Sequence, residues 1–136
     1  MRQLLQVFFF VVLLLNSAHA VEFKEVKAIK LKKDDTQKIL VNYGTYSKLF
    51  TLRWTLYKNK GLVVFHSFDK HVFQNMMYLR YKNQFLKQEL KSRGADYYNT
   101  PYLLVKFKEF NYETSEATFE LLLSDSKSQI NLKYLK

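Results

Sequence analysis

The chain contains no cysteine, one proline and only three glycines among 136 residues. Without cysteine there is no disulfide staple, so an exported form must be held together by apolar packing. A lipoprotein is excluded on the same ground, because its lipid is attached to a cysteine. Three glycines are too few for most phosphate-cradling or dinucleotide-binding loops, and no P-loop, G-x-S-x-G elbow or H-E-x-x-H helix occurs. The expectation is a protein with no catalytic site and no cofactor.

The chain also lacks an apolar run long enough to span a bilayer. Leu4 to Leu15 is apolar except for Gln6, about a dozen residues where a spanning helix needs ~20. What the run does fit is an export leader. Arg2 supplies a basic start, Asn16 and Ser17 end the run, and Ala18 and Ala20 place small side chains at the two positions that a signal peptidase accommodates. Residues 1–20 are read as a signal peptide cleaved after Ala20, and 21–136 as a single β-rich periplasmic or secreted domain with no transmembrane segment. An exported domain without disulfides suits a bacterial periplasm. So does the heavy use of Lys, Asn, Phe, Tyr and Ile, which is typical of AT-rich bacterial genomes.

Charge is one-sided. Setting aside Arg2 lowers the formal net charge only from +10 to +9, and such an excess steers anionic partners toward the protein. Outside the cytoplasm these are lipid head groups, lipopolysaccharide, cell-wall polymers or acidic protein surfaces, and nucleic acid is not expected. The lysines are spread from Lys24 to Lys136 without a polybasic cluster. The plainer account is that they solvate the surface and guard sheet edges.

Period-two alternation dominates the rest. Phe23–Leu31 reads as a weak edge strand, Lys32–Thr36 as a turn, and Ile39–Val41 as a strand ending at the Asn42–Gly44 turn. From Lys48 to Lys58, Phe50, Leu52, Trp54 and Leu56 alternate with Thr51, Arg53, Thr55 and Tyr57, which predicts a half-buried strand with Trp54 near the core centre. Asn59-Lys60-Gly61 then turns the chain back through Leu62–Phe68, with Gly61 supplying the positive φ. Tyr102–Phe110, Ala117–Leu123 and Ile130–Leu135 predict a three-stranded meander. A bulge at Lys108-Glu109 reconciles Leu103, Val105 and Phe107 with Phe110 and Tyr112.

Val72–Lys91 admits two readings. On a helical wheel Val72, Met76, Leu79, Leu86 and Leu90 share one side, which would make the fold α+β with one helix at about 70–91. The preferred reading is a hairpin turning at Asn83, because the flanking chain is strongly β and aromatics are abundant. The expected fold is thus an all-β antiparallel β-sandwich of eight or nine strands, with the immunoglobulin arrangement as one candidate order.

Three groups of side chains carry candidate chemistry. His66, Asp69 and His71 are suitable ligands for zinc, but a strand that points His66 inward leaves the other two beyond its end, so a buried histidine and no metal is the expectation. Glu113, Glu116 and Glu120 are the densest acidic group, placed in and beside an exposed turn where both members of any pair stay ionised. Arg53 and Tyr57 on one strand, and Lys106 and Lys108 on another, would form a basic patch with an aromatic rim if those strands were neighbours. The loop 93–101 adds Tyr97 and Tyr98, read as either a binding element or a lid on the core. The expected function is a non-enzymatic interaction or accessory module with a protein partner in the cell envelope. The alternative is a binder or carrier of an anionic or amphiphilic ligand.

Overall fold

The alternation of the sequence is realised as strands throughout the computed structural model, which describes residues 21–94 and 97–136. The proposed signal peptide, with Ala18 and Ala20, lies outside the described residues. Among these residues nine strands form: β1 (Glu25–Lys32), β2 (Thr36–Tyr43), β3 (Tyr46–Lys58), β4 (Gly61–Phe68), β5 (His71–Tyr78), β6 (Phe85–Glu89), β7 (Tyr102–Asn111), β8 (Glu116–Ser124) and β9 (Asn131–Leu135). They build two antiparallel sheets packed face to face, in the orders β1-β8-β7-β6 and β5-β4-β3-β2-β9. Apart from two 3₁₀ turns, Lys82–Gln84 and Tyr97–Asn99, no helix is found among the described residues, and none is long and apolar enough to cross a membrane.

The sandwich is the expected one, but its order is not the immunoglobulin one, which interleaves distant strands in each sheet. Here β2 to β5 run as consecutive neighbours, the chain changes layer, and β6 to β8 run as neighbours in the second sheet. The terminal strands close it: β1 lies beside β8 and β9 beside β2. The predicted three-stranded meander therefore stops at two. Ile130, only 2% exposed, enters the core from the layer opposite β8.

Val72–Lys91 forms two strands rather than a helix, as preferred, but they are not a hairpin. β5 pairs with β4, and β6 pairs with β7 in the other sheet. Met77 and Leu86 are both buried, and they fill the core from opposite layers, so the intervening residues cross between sheets rather than turn within one. The helical reading fails because Val72 and Met76 face solvent while Leu86 and Leu90 are buried; the five do not share a buried face.

Turn chemistry explains the hairpins. A two-residue hairpin of type I′ needs φ > 0 at both central positions, and Asn59 (φ 53°) with Lys60 (φ 65°) supplies it between β3 and β4. Asp69 (φ 49°) and Lys70 (φ 71°) do the same between β4 and β5. Gly61 is therefore not the left-handed residue of its turn. Its lack of a side chain serves a close approach instead, since a Cβ there would lie 2.9 Å from the Tyr78 ring across the ladder.

The core is the layer between the sheets, with Phe50, Leu52, Val64, Phe107, Phe119 and Leu121 almost wholly buried. Trp54 is 3% exposed, and its Nε1–H donates to the Leu31 carbonyl at 2.8 Å, which ties β3 in one sheet to β1 in the other. Two bulges shape one end of this layer. The β7–β8 register shifts between Phe107 and Glu109, as the parity of Phe110 demands, and the β3–β4 register shifts between Trp54 and Leu56. The second bulge reverses the parity after Trp54, so Leu56 is 49% exposed and Tyr57 turns inward onto Phe110, ring centroids 4.0 Å apart.

Candidate interaction edge

The structure disperses the side chains expected to act together. Arg53 and Tyr57 do not share an outer face, because the β3 bulge turns Tyr57 into the core. Burial pushes the Tyr57 hydroxyl up to about 12, helped by its hydrogen bond with the Tyr112 hydroxyl at 3.1 Å. Arg53 stays outside with its guanidinium 5.2 Å from the Phe65 ring. Lys106 and Lys108 lie on β7, in the opposite sheet, so β3 and β7 are not neighbours and the four-residue basic patch does not form. Lys106 lies over the Phe85 ring at 5.4 Å, and Lys108 pairs with Glu120 at 3.1 Å. Glu113 and Glu116 sit at the β7–β8 turn, where the Asn111 side-chain oxygen accepts from the Glu113 amide. Tyr97 opens the 3₁₀ turn Tyr97–Asn99, and Tyr98 is 95% exposed rather than a lid on the core.

His66, Asp69 and His71 also stay apart. Among the described residues no three His, Asp or Glu side chains are gathered as metal ligands. Asp69 occupies the β4–β5 turn and holds Lys48 at 2.6 Å, a contact that lowers the carboxyl below its ordinary range and raises the ammonium. His71 begins β5 in solvent. His66 points inward, 5% exposed, stacked against Phe73 with ring centroids 5.0 Å apart. The Asn75 amide donates to its Nδ1 at 2.9 Å, and the Gln88 side chain hydrogen bonds the ring from the other sheet. Burial pushes the imidazole below its ordinary value, against the Gln88 bond, which favours the charged ring.

This histidine marks the seam where β5 and β6, edge strands of different sheets, run past one another. A cleft of about 650 Å³ opens there, lined by His66, Phe73, Asn75, Lys87, Gln88 and Arg93 among others. Glu89 on the same wall is held by Arg93 at 2.6 Å, and that hydrogen bond lowers its carboxyl. Past the other end of β5, Asn59, Lys60, Tyr78, Tyr81 and Asn83 line a smaller hollow of about 360 Å³.

Sheet edges attract other chains unless they are guarded, and lysine is the usual guard. Of the four edge strands, β1 carries Lys27, Lys30 and Lys32, β6 carries Lys87, and β9 carries Lys133. β5, the sequence HVFQNMMY, carries no Lys, Arg, Asp or Glu, and it exposes Val72 (68%), Phe73 (46%) and Met76 (49%). Tyr81 and Phe85 extend this exposed apolar run along the crossover. Sequence reasoning overlooked β5 because its eight uncharged residues become an anomaly only once it is known to be an edge. No protein-family model matches this chain, and no curated protein or solved structure is significantly similar to it.

Proposed function

We propose that the chain is a non-enzymatic, exported interaction module of a bacterial envelope assembly, and that it recognises a protein partner along β5. The observation that carries this reading is the contrast between three lysine-bearing edges and one uncharged edge that presents Val72, Phe73 and Met76 to solvent. The leader pattern from Arg2 to Ala20 supports export. The engagement of His66 by Asn75 and Gln88 supports a structural rather than catalytic histidine. Recognition at the surface is favoured over carriage of a ligand inside the sandwich because aromatic rings fill the inter-sheet layer, with Phe107 and Phe119 5.9 Å apart and both fully buried.

The test is a photo-crosslinking residue placed at Val72, compared with one at Leu49 on an exposed part of β3, in cells that export the full chain. A discrete protein adduct from position 72 and none from position 49 is expected, on a mature chain that begins at Val21. Equal labelling at both positions, or none at 72, removes the reading. Retention of the leader in a cytoplasmic fraction removes its export part.

A further inference from the structure

We infer that β5 is a strand acceptor: an extended segment of a different protein, apolar at alternate positions and acidic at its ends, adds to β5 as a sixth strand of the five-stranded sheet. The inference rests on the reading of the chain as an interaction module and specifies how the partner is held.

Backbone direction comes first. In an antiparallel ladder each residue turns its N–H and C=O to the same side, and successive residues alternate. The Asn83 side chain donates to the Met76 carbonyl from outside the sheet at 3.2 Å, so Met76 faces outward, and so by parity do Val72 and Gln74. Their N–H and C=O groups lie on the side of β5 where no strand pairs among the described residues. Four backbone groups in correct spacing are what strand addition requires.

Side-chain room comes second. One row of an added strand would continue the exposed outer row of Val72 and Met76. The other row would enter the cleft of about 650 Å³ beside Phe73, Gln88 and His66. An apolar or small uncharged side chain fits against Phe73, whose ring is already stacked on the imidazole.

Charge decides the occupant. Lys70 precedes β5, Arg80 and Lys82 follow it, and Lys87 stands on the opposite wall of the cleft. The nearby carboxylates are engaged, Asp69 by Lys48 and Glu89 by Arg93. A second copy of this chain is a poor fit. Antiparallel pairing sets outward residues against outward residues: with Val72 against Tyr78 and Gln74 against Met76, two β5 strands place Lys70 against Arg80 at both ends, a like-charge contact that opposes pairing, and with Val72 against Met76 neither Lys70 nor Arg80 meets an opposite charge. Acidic residues at the same places would turn both ends into attractions.

The probe is a labelled heptapeptide of alternating valine and threonine with a glutamate at each end, with a lysine-ended counterpart as control. The glutamate peptide is expected to bind the mature chain, more weakly as salt rises, and the lysine peptide at least tenfold more weakly. Gln74→Pro removes an outward N–H without removing a bond to β4, a place where an edge strand tolerates proline. It is expected to weaken binding at least tenfold with the thermal midpoint kept. Val72→Lys, which only adds a guard, should act in the same direction and serves if the proline variant does not fold. Hydrogen exchange should show new protection at the Val72 and Gln74 amides.

Failure of the glutamate peptide to bind, binding indifferent to both substitutions, or protection confined to β1, β6 or β9 overturns the inference. A concentration-dependent dimer that Gln74→Pro dissolves would assign the edge to a second copy and overturn it equally. An adduct at position 72 in cells without peptide binding leaves the interaction module standing and strand addition refuted. Peptide binding at β5 without an adduct refutes the envelope reading and leaves the acceptor edge.

Discussion

Trp54 is the residue on which the two layers meet, and its place was legible because Phe50, Leu52 and Trp54 alternate without interruption. Its indole N–H is held by the Leu31 carbonyl of the other sheet. Trp54→Phe should cost about 2 to 3 kcal/mol, from a lost hydrogen bond, a carbonyl left unpaired and a smaller buried ring. Urea unfolding would read this as a lower midpoint with the slope unchanged. The residues just beyond were misread for a local reason. Strict alternation puts Leu56 inside and Tyr57 outside, and nothing in Thr55 itself announces the extra residue that reverses them. The consequence is a pair of contrary expectations. Leu56→Ala, at a half-exposed site, should cost less than about 1 kcal/mol, and Tyr57→Ala should cost more than about 2 kcal/mol. The reverse order would mean that β3 runs without its bulge.

Elements show where strand identity is legible and strand partnership is not. Each strand announces itself by its own period of two, but the partner of a strand depends on which layer its apolar row must fill, and that is a property of the whole chain. β5 and β6 look like the arms of a hairpin because both are extended and Asn83 lies between them, yet their buried residues Met77 and Leu86 belong to opposite sheets. Gly61 was legible as a turn residue and misassigned in role, because Asn59 and Lys60 both take up positive φ and the glycine's work is to lie beneath Tyr78. The bulges of β3 and β7 lie in different sheets and act as a pair. One turns Tyr57 inward and the other Phe110, and together with Trp54 they make an aromatic cluster, Trp54 and Phe110 meeting edge to face at 5.5 Å. A double-mutant cycle on Tyr57→Leu and Phe110→Leu should give a coupling of about 0.5–1.5 kcal/mol, the usual worth of an aromatic pair beyond its buried area. Additive effects would show that the two bulges are independent.

At the scale of the molecule, the sheets are joined by the core, by Trp54 at one side, and by His66 at the β5–β6 seam. His66 on β4 is contacted by Asn75 of β5 and by Gln88 of β6, so the one ring spans the gap between layers. The sequence made its burial legible, through the parity it shares with Leu62, Val64 and Phe68, but not its bridging partners, because Gln88 comes from the strand whose layer could not be read. This arrangement gives the fold a pH dependence of definite sign. Burial holds the folded imidazole below its ordinary value of about 6.5, so the unfolded chain takes up the proton first as pH falls. The contribution of the neutral ring to stability is complete above the unfolded value, near pH 7 and higher, and is lost as the pH drops through that value toward the lower folded one. Lys87, Glu89 and Arg93 line the same cleft, and Arg93 holds Glu89 at 2.6 Å. Urea unfolding at pH 7 and pH 5 should therefore show a fall in stability for the native protein. The fall should shrink in His66→Gln, which keeps a hydrogen-bonding side chain between Asn75 and Gln88 and removes the titration. Equal losses in the two proteins would place the acid sensitivity in other groups and leave His66 as a packed ring with no part in it.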